Sequence, residues 1–190
     1  STPKPSSAAS DVYKRQHYVS DVASQKPAVP FGALSSIADV RDFLRFRVNI
    51  EVESAALAAQ ANQESHVQIK MAHQRMSAAV ASHRSGIEED LAFHIAVARA
   101  SGNRFYVLTM EALAEQVRFS VQLIRDLSGR PSAGRTTAVL DEHAAIEAAI
   151  AARDPQRARQ AMEAHLLGGI DRLFGLSLIH ISEPTRPERI

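Results

Sequence analysis

Apolar residues recur at three- and four-residue spacing through most of the chain, and no apolar/polar alternation lasts beyond a few positions. That periodicity belongs to helices that bury one face. Val40, Phe43, Leu44, Ile50 and Leu57 give a first helix, starting after Ser35 or Ser36 as cap and reaching about Gln60. A second, capped by Ser65, carries Ile69, Met76 and Val80 to about Ser82 and is broken by Gly86. A third holds Leu91, Phe93, His94, Val97 and Ala98 and stops at Ser101-Gly102. A long fourth helix spans about Asn103 to Leu127; after the loop SGRPSAG a fifth covers about 136–152. Asp154 as cap and Pro155 at the first helical position start a sixth, to about Leu173. The pattern predicts an all-α bundle.

Composition supports close helix packing. Hydrophobic residues make up 45% of the 190 residues but aromatics only 5%, and the middle is rich in Ala, Leu, Val and Ile. The length suits one domain. There is no Cys, which excludes disulfides and thiolate zinc sites and fits a reducing compartment. No apolar run approaches the roughly 18 residues of a membrane span, and no signal peptide opens the chain, so a cytoplasmic protein without membrane contact is expected.

The ends differ from the middle. Residues 1–16 and 176–190 lack helical periodicity; the tail SLIHISEPTRPERI and the stretch DVYKRQ resemble translated sequencing-adapter read-through. Both are expected to be non-native or disordered. Residues 17–35, interrupted by Pro27, Pro30 and Gly32, read as a linker, leaving a domain over 36–175. The chain carries a net +1, of which +2 sits in residues 1–16 and none in 176–190, so the middle is near −1. Without a dense Lys/Arg stripe it lacks the footprint of a DNA-gripping surface.

Candidate chemistry centres on Asp90, His94, His143 and His165. Asp90 and His94 are one helical turn apart in DLAFH. His143 and His165 each stand 11 residues from Asp154, where one helix stops and the next starts. If those helices fold back on each other, both imidazoles reach the same height, roughly 16 Å from the turn at 1.5 Å per residue. One carboxylate and three imidazoles suit a divalent ion: zinc first, nickel or manganese also. His66, His73 and His83 share a stripe with Ile69 and Met76 and read as core-edge or solvated residues.

Spacing alone leaves other readings open. A mononuclear metal-dependent hydrolase needs a base near the ion, and Glu142 points about 100° away from His143 around its helix. A di-iron bundle needs Glu-x-x-His motifs that the chain lacks. A purely structural helical dimer could use the His cluster as packed polar core.

DLAFHIAVARASGN, DEHAAIEAAIAARD and ARQAMEAHLLGGI resemble the ligand-binding (FCD) domain of the FadR-type branch of GntR transcriptional regulators. RFRVNIEVESAALAA resembles that family's first helix, and HYVSD at 17–21 resembles the last strand of a DNA-binding wing. The resemblance covers roughly 36–174. It implies an antiparallel bundle of six to seven helices that dimerises and holds a metal in its centre through Asp90, His94, His143 and His165. It also implies a winged helix-turn-helix N-terminal to these residues, through which alone DNA is bound. The expected function is effector sensing, not catalysis: a sugar acid, hydroxy acid or dicarboxylate binds at the metal and shifts DNA binding. Arg47, one turn before Glu51, is the leading effector contact through its planar fork, against the plainer reading of a surface pair with Glu51. Asn103 and Arg118 are further effector-binding candidates.

Overall fold

Helices α1 Ile37–Ala58, α2 Gln63–Ala81, α3 Ile87–Ala100, α4 Arg104–Ala112, α5 Ala114–Leu127, α6 Ala133–Ala151 and α7 Pro155–Leu178 make up the structure, a computed structural model. It describes residues 31–127 and 133–178, the side chains of 133–135 and 176–178 excepted, and no strand occurs among them. The readings for residues 1–16, for the wing strand at 17–21 and for 179–190 lie outside the described residues. No helix among the described residues is long and apolar enough to cross a membrane.

Local chemistry sets the helix starts. Ser36 and Asp39 form a reciprocal capping box: the Asp39 amide donates to Ser36 Oγ and the Ser36 amide to Asp39 Oδ2, both at 3.0 Å. Asp154 caps α7 as expected, accepting from the Arg157 amide at 3.0 Å. The cap of α2 is Asn62 and not Ser65, whose amide donates to Asn62 Oδ1 at 2.9 Å; the helix therefore starts earlier than the apolar periodicity suggests. The expected fourth helix divides at Leu113 into α4 and α5. Leu113 still donates to Thr109 O and accepts from Val117, so the ladder crosses a one-residue break that no Gly or Pro marks. α7 continues through Gly175, five residues beyond the expected end at Leu173.

Gly86 precedes α3 at φ +68°, a left-handed conformation that L side chains rarely adopt. An added Cβ would meet nothing closer than Val80 at 3.6 Å, so backbone strain alone should decide the effect. Gly86→Ala is expected to lower stability by about 1–2 kcal/mol. This reads as a lower urea midpoint at unchanged slope; an unmoved midpoint would contradict it.

α1 packs chiefly on α7, α2 on α3, and α6 on α7, while α3 also lies against α1, α4 and α5. One apolar cluster joins Ala55, Ala58, Ile69, Phe93, Ile146 and Met162; another joins Val40, Leu44, Leu91, Met110, Leu113 and Leu173. Ala55, Ala58, Ala59, Ala72 and Ala158 are all at most 1% exposed, which is how small side chains let the helices approach. Along α1, the buried pair Arg47 and Glu51 interrupts the apolar face between Leu44 and Ala55. This polar step marks the level of the site.

Candidate metal centre

Four helix-borne side chains meet in the interior. Asp90 and His94 come from α3, His143 from α6 and His165 from α7, and all four are buried. One ligand atom from each lies within 4.8 Å of every other. The His143 and His165 rings are 4.2 Å apart, so the equal spacing about the α6–α7 turn does bring them to one height. His94 is 5.5 Å from His143 and 5.3 Å from His165, ring centre to ring centre. Phe93 closes one side, 5.0 Å from the His143 ring and 5.7 Å from His94.

The surroundings fix how the rings present themselves. His143 Nδ1 lies 2.8 Å from the Val139 carbonyl, which can only accept, so Nδ1 carries the proton. Nε2 of the neutral ring is then a lone-pair donor. It has no hydrogen-bond partner, yet stands 3.2 Å from Asp90 Oδ1. Two electron-pair donors facing at that distance need a positive charge, carried by a proton or a metal ion. His165 donates from Nδ1 to Glu142 Oε2 at 2.9 Å, and Arg172 grips both Glu142 oxygens at 2.7 and 3.0 Å. Gly168 leaves room for this fork: a Cβ there would stand 3.2 Å from Arg172 Nη1. A carboxylate or carbonyl behind each imidazole is the usual support of metal-binding histidines.

Charge follows the same lines. Burial alone would raise the Asp90 carboxyl, but His143 Nε2 facing it and the charge that His94, His143 and His165 carry when protonated hold it well below the usual carboxylate range. Burial, and then the neighbouring His143, depress His165 from 6.5 to about 4. Glu51 and Glu142 resist burial and fall from 4.5 to about 2, the first through Arg47 and His94, the second through His165 and Arg172. The donor set fits a divalent cation: three imidazoles, a carboxylate, and buried nitrogens of His94 and His143 without hydrogen-bond partners.

These shifts set an acid response for metal-free protein. An unfolded chain takes a proton on His165 near pH 6.5, whereas the folded state resists until about 4. Protons therefore favour unfolding across that window. Glu51 and Glu142 act in the same direction between about 4.5 and 2. Chelator-treated protein should lose stability steadily from pH 6.5 downward, and His165→Gln should flatten the upper part of the curve. A flat urea midpoint between pH 6.5 and 4 in the unsubstituted protein would contradict the assignment.

The other candidates lie in different settings. Arg47 does pair with Glu51, Nε to Oε1 at 2.6 Å, but the pair is buried, not on the surface. Asn103 is exposed and caps α4, accepting from the Phe105 amide at 3.0 Å. Arg118 is bonded to both Glu88 oxygens and to Glu115. No hydrogen bond or ion pair joins either residue to the four central side chains. His66 bonds to the Ala58 carbonyl and His73 to Glu147, so neither joins the four. A surface groove of about 350 Å³ between α2 and α3, lined by Gln68, Arg75 and Arg99 among others, includes none of the four. Glu142 and Arg172 are supports that sequence reasoning missed. The only sequence sign of Arg172 is its place two turns after His165.

Among the described residues, fold and site together define a helical domain built around a buried Asp/His group that could hold a cation. The FCD domain family matches residues 42–168. The HTH-type transcriptional regulator LutR of Bacillus subtilis (strain 168) is 31% identical over 141 residues, which cover 72% of this chain and 63% of LutR. Streptococcus agalactiae GntR superposes with a TM-score of 0.63 at 19% identity, over 78% of this chain and 66% of that one. The chain thus spans under two thirds of the length of each of these proteins. It belongs to the FCD family, the effector-binding domain of GntR-type transcription regulators.

Proposed function

We propose that this domain senses a small organic acid at a divalent ion held by Asp90, His94, His143 and His165, and thereby shifts DNA binding by a winged-helix domain N-terminal to it. The observation that carries the reading is the buried meeting of one carboxylate and three imidazoles, with ring nitrogens left unpartnered. Zinc suits this set best, with nickel or manganese as alternatives. When bound, such an ion supplies a positive centre at which a carboxylate oxygen can replace water. Asp90 offsets one of its two charges, so the ion keeps a net positive charge that attracts an anion. Arg47 takes a second oxygen of the acid by a charge-assisted bond. Asn103 and Arg118 would first have to leave the partners described above.

The regulatory step needs an acid that binds two arrangements of a dimer unequally, since equal affinity shifts nothing. LutR is named an HTH-type transcriptional regulator, which supports DNA as the final target in a cytoplasmic setting. DNA contact belongs to the winged domain in this reading, because the middle of this chain is near neutral.

Organic acids should stabilise metal-loaded protein by roughly 2.7 kcal/mol at about 100 times the dissociation constant. Arg47→Ala should weaken acid binding some ten- to hundredfold while metal is retained. Exposed Arg104 supplies the control, and Arg104→Ala should leave both unchanged. If sugar acids and dicarboxylates shift the melting point equally with metal and with chelator, the acid does not sit on the ion.

A further inference from the structure

We propose that Glu51 is a positioning residue shared by both halves of the site, orienting His94 toward the cation and Arg47 toward the acid, so that metal and acid binding are coupled through one buried carboxylate. The inference rests on the reading above. Glu51 is 2% exposed, Arg47 3% and His94 1%, so this chain of groups has almost no contact with water. Oε1 accepts from Arg47 Nε at 2.6 Å. Oε2 stands 2.5 Å from His94 Nδ1, and neither atom has a hydrogen-bond partner elsewhere. A buried carboxylate so placed attracts the Nδ1 proton. His94 Nε2, also buried and unpartnered, then remains as the atom for the cation.

Comparison with the other two histidines singles out Glu51. His143 is backed by a main-chain carbonyl, which a ligand cannot influence through a side chain. His165 is backed by Glu142, but Arg172 turns both of its terminal nitrogens onto that carboxylate. Arg47 meets Glu51 through Nε alone, and its two terminal nitrogens have no hydrogen-bond partner among the described residues. An acid that draws Arg47 toward itself also loads the carboxylate that sets His94.

The test uses the full chain with zinc and a dicarboxylate or sugar acid that stabilises the unsubstituted protein. Glu51→Gln keeps the shape and removes the charge. Zinc affinity, read by competition with a chromophoric chelator, is expected to fall 10- to 100-fold. The visible spectrum of cobalt-loaded protein should also change, which a loss of mere fold stability would not produce. The acid-induced melting shift should shrink as in Arg47→Ala, and the two substitutions together should cost no more than either alone. Because Glu51→Gln leaves Arg47 buried and unpaired, Arg47→Met/Glu51→Gln removes both charges and keeps the metal test open if the single variant does not fold. Wild-type zinc affinity and cobalt spectrum in either folded variant would overturn the proposal while leaving the metal site standing. An unsubstituted protein that binds no metal would overturn both.

Discussion

His143→Ala should reduce zinc affinity more than about 100-fold, beyond the loss typical of a supporting residue. His143 is fully buried and packed between Phe93 and His165, so no other side chain can swing into its place without disturbing the core. Its loss removes one of four donors and also leaves Asp90 Oδ1 facing a void in place of Nε2. A buried carboxylate stripped of its partner is costly, which adds to the loss of the donor itself. The chelator competition should therefore show near-complete loss of stoichiometric zinc, with helical circular dichroism retained. Zinc affinity within a few-fold of the unsubstituted protein would remove His143 from the donor set.

The second large effect is expected from Phe93→Ala. Phe93 is fully buried, belongs to the apolar cluster of Ile69, Ile146 and Met162, and touches His94, His143 and His73 edge to face. Truncating a ring so placed costs about 3–5 kcal/mol through lost burial and the cavity left behind. For a chain of this size that lowers the melting temperature by roughly 10 °C. Metal should restore part of the loss, because binding to the folded state alone adds stability by mass action. A drop of less than about 1 kcal/mol would mean that the ring is not the wall described for the site.

Much of this arrangement was legible in the sequence because it is local or symmetric. Asp90 and His94 need only the helical repeat to share a face. His143 and His165 needed one further step, the helix restart at Asp154-Pro155, and the 4.2 Å ring separation follows from their equal distances to it. The break at Leu113 was not legible, since nothing in ALAEQ departs from helical composition and the backbone ladder continues through it. Burial of the Arg47–Glu51 pair was also hidden. Charged residues one turn apart are usually solvated, and only the packing of α1 against α3 and α7 encloses this pair. The Glu142–Arg172 support depends on the rotation of α6 against α7, which periodicity leaves undetermined.

X-ray absorption at the zinc edge of the reconstituted full chain tests the central claim most directly. The expected result is about one zinc per chain with nitrogen and oxygen neighbours near 2.0–2.2 Å and outer-shell scattering from three imidazoles. A protein that is folded yet retains no zinc, or a spectrum without imidazole scattering, would contradict it.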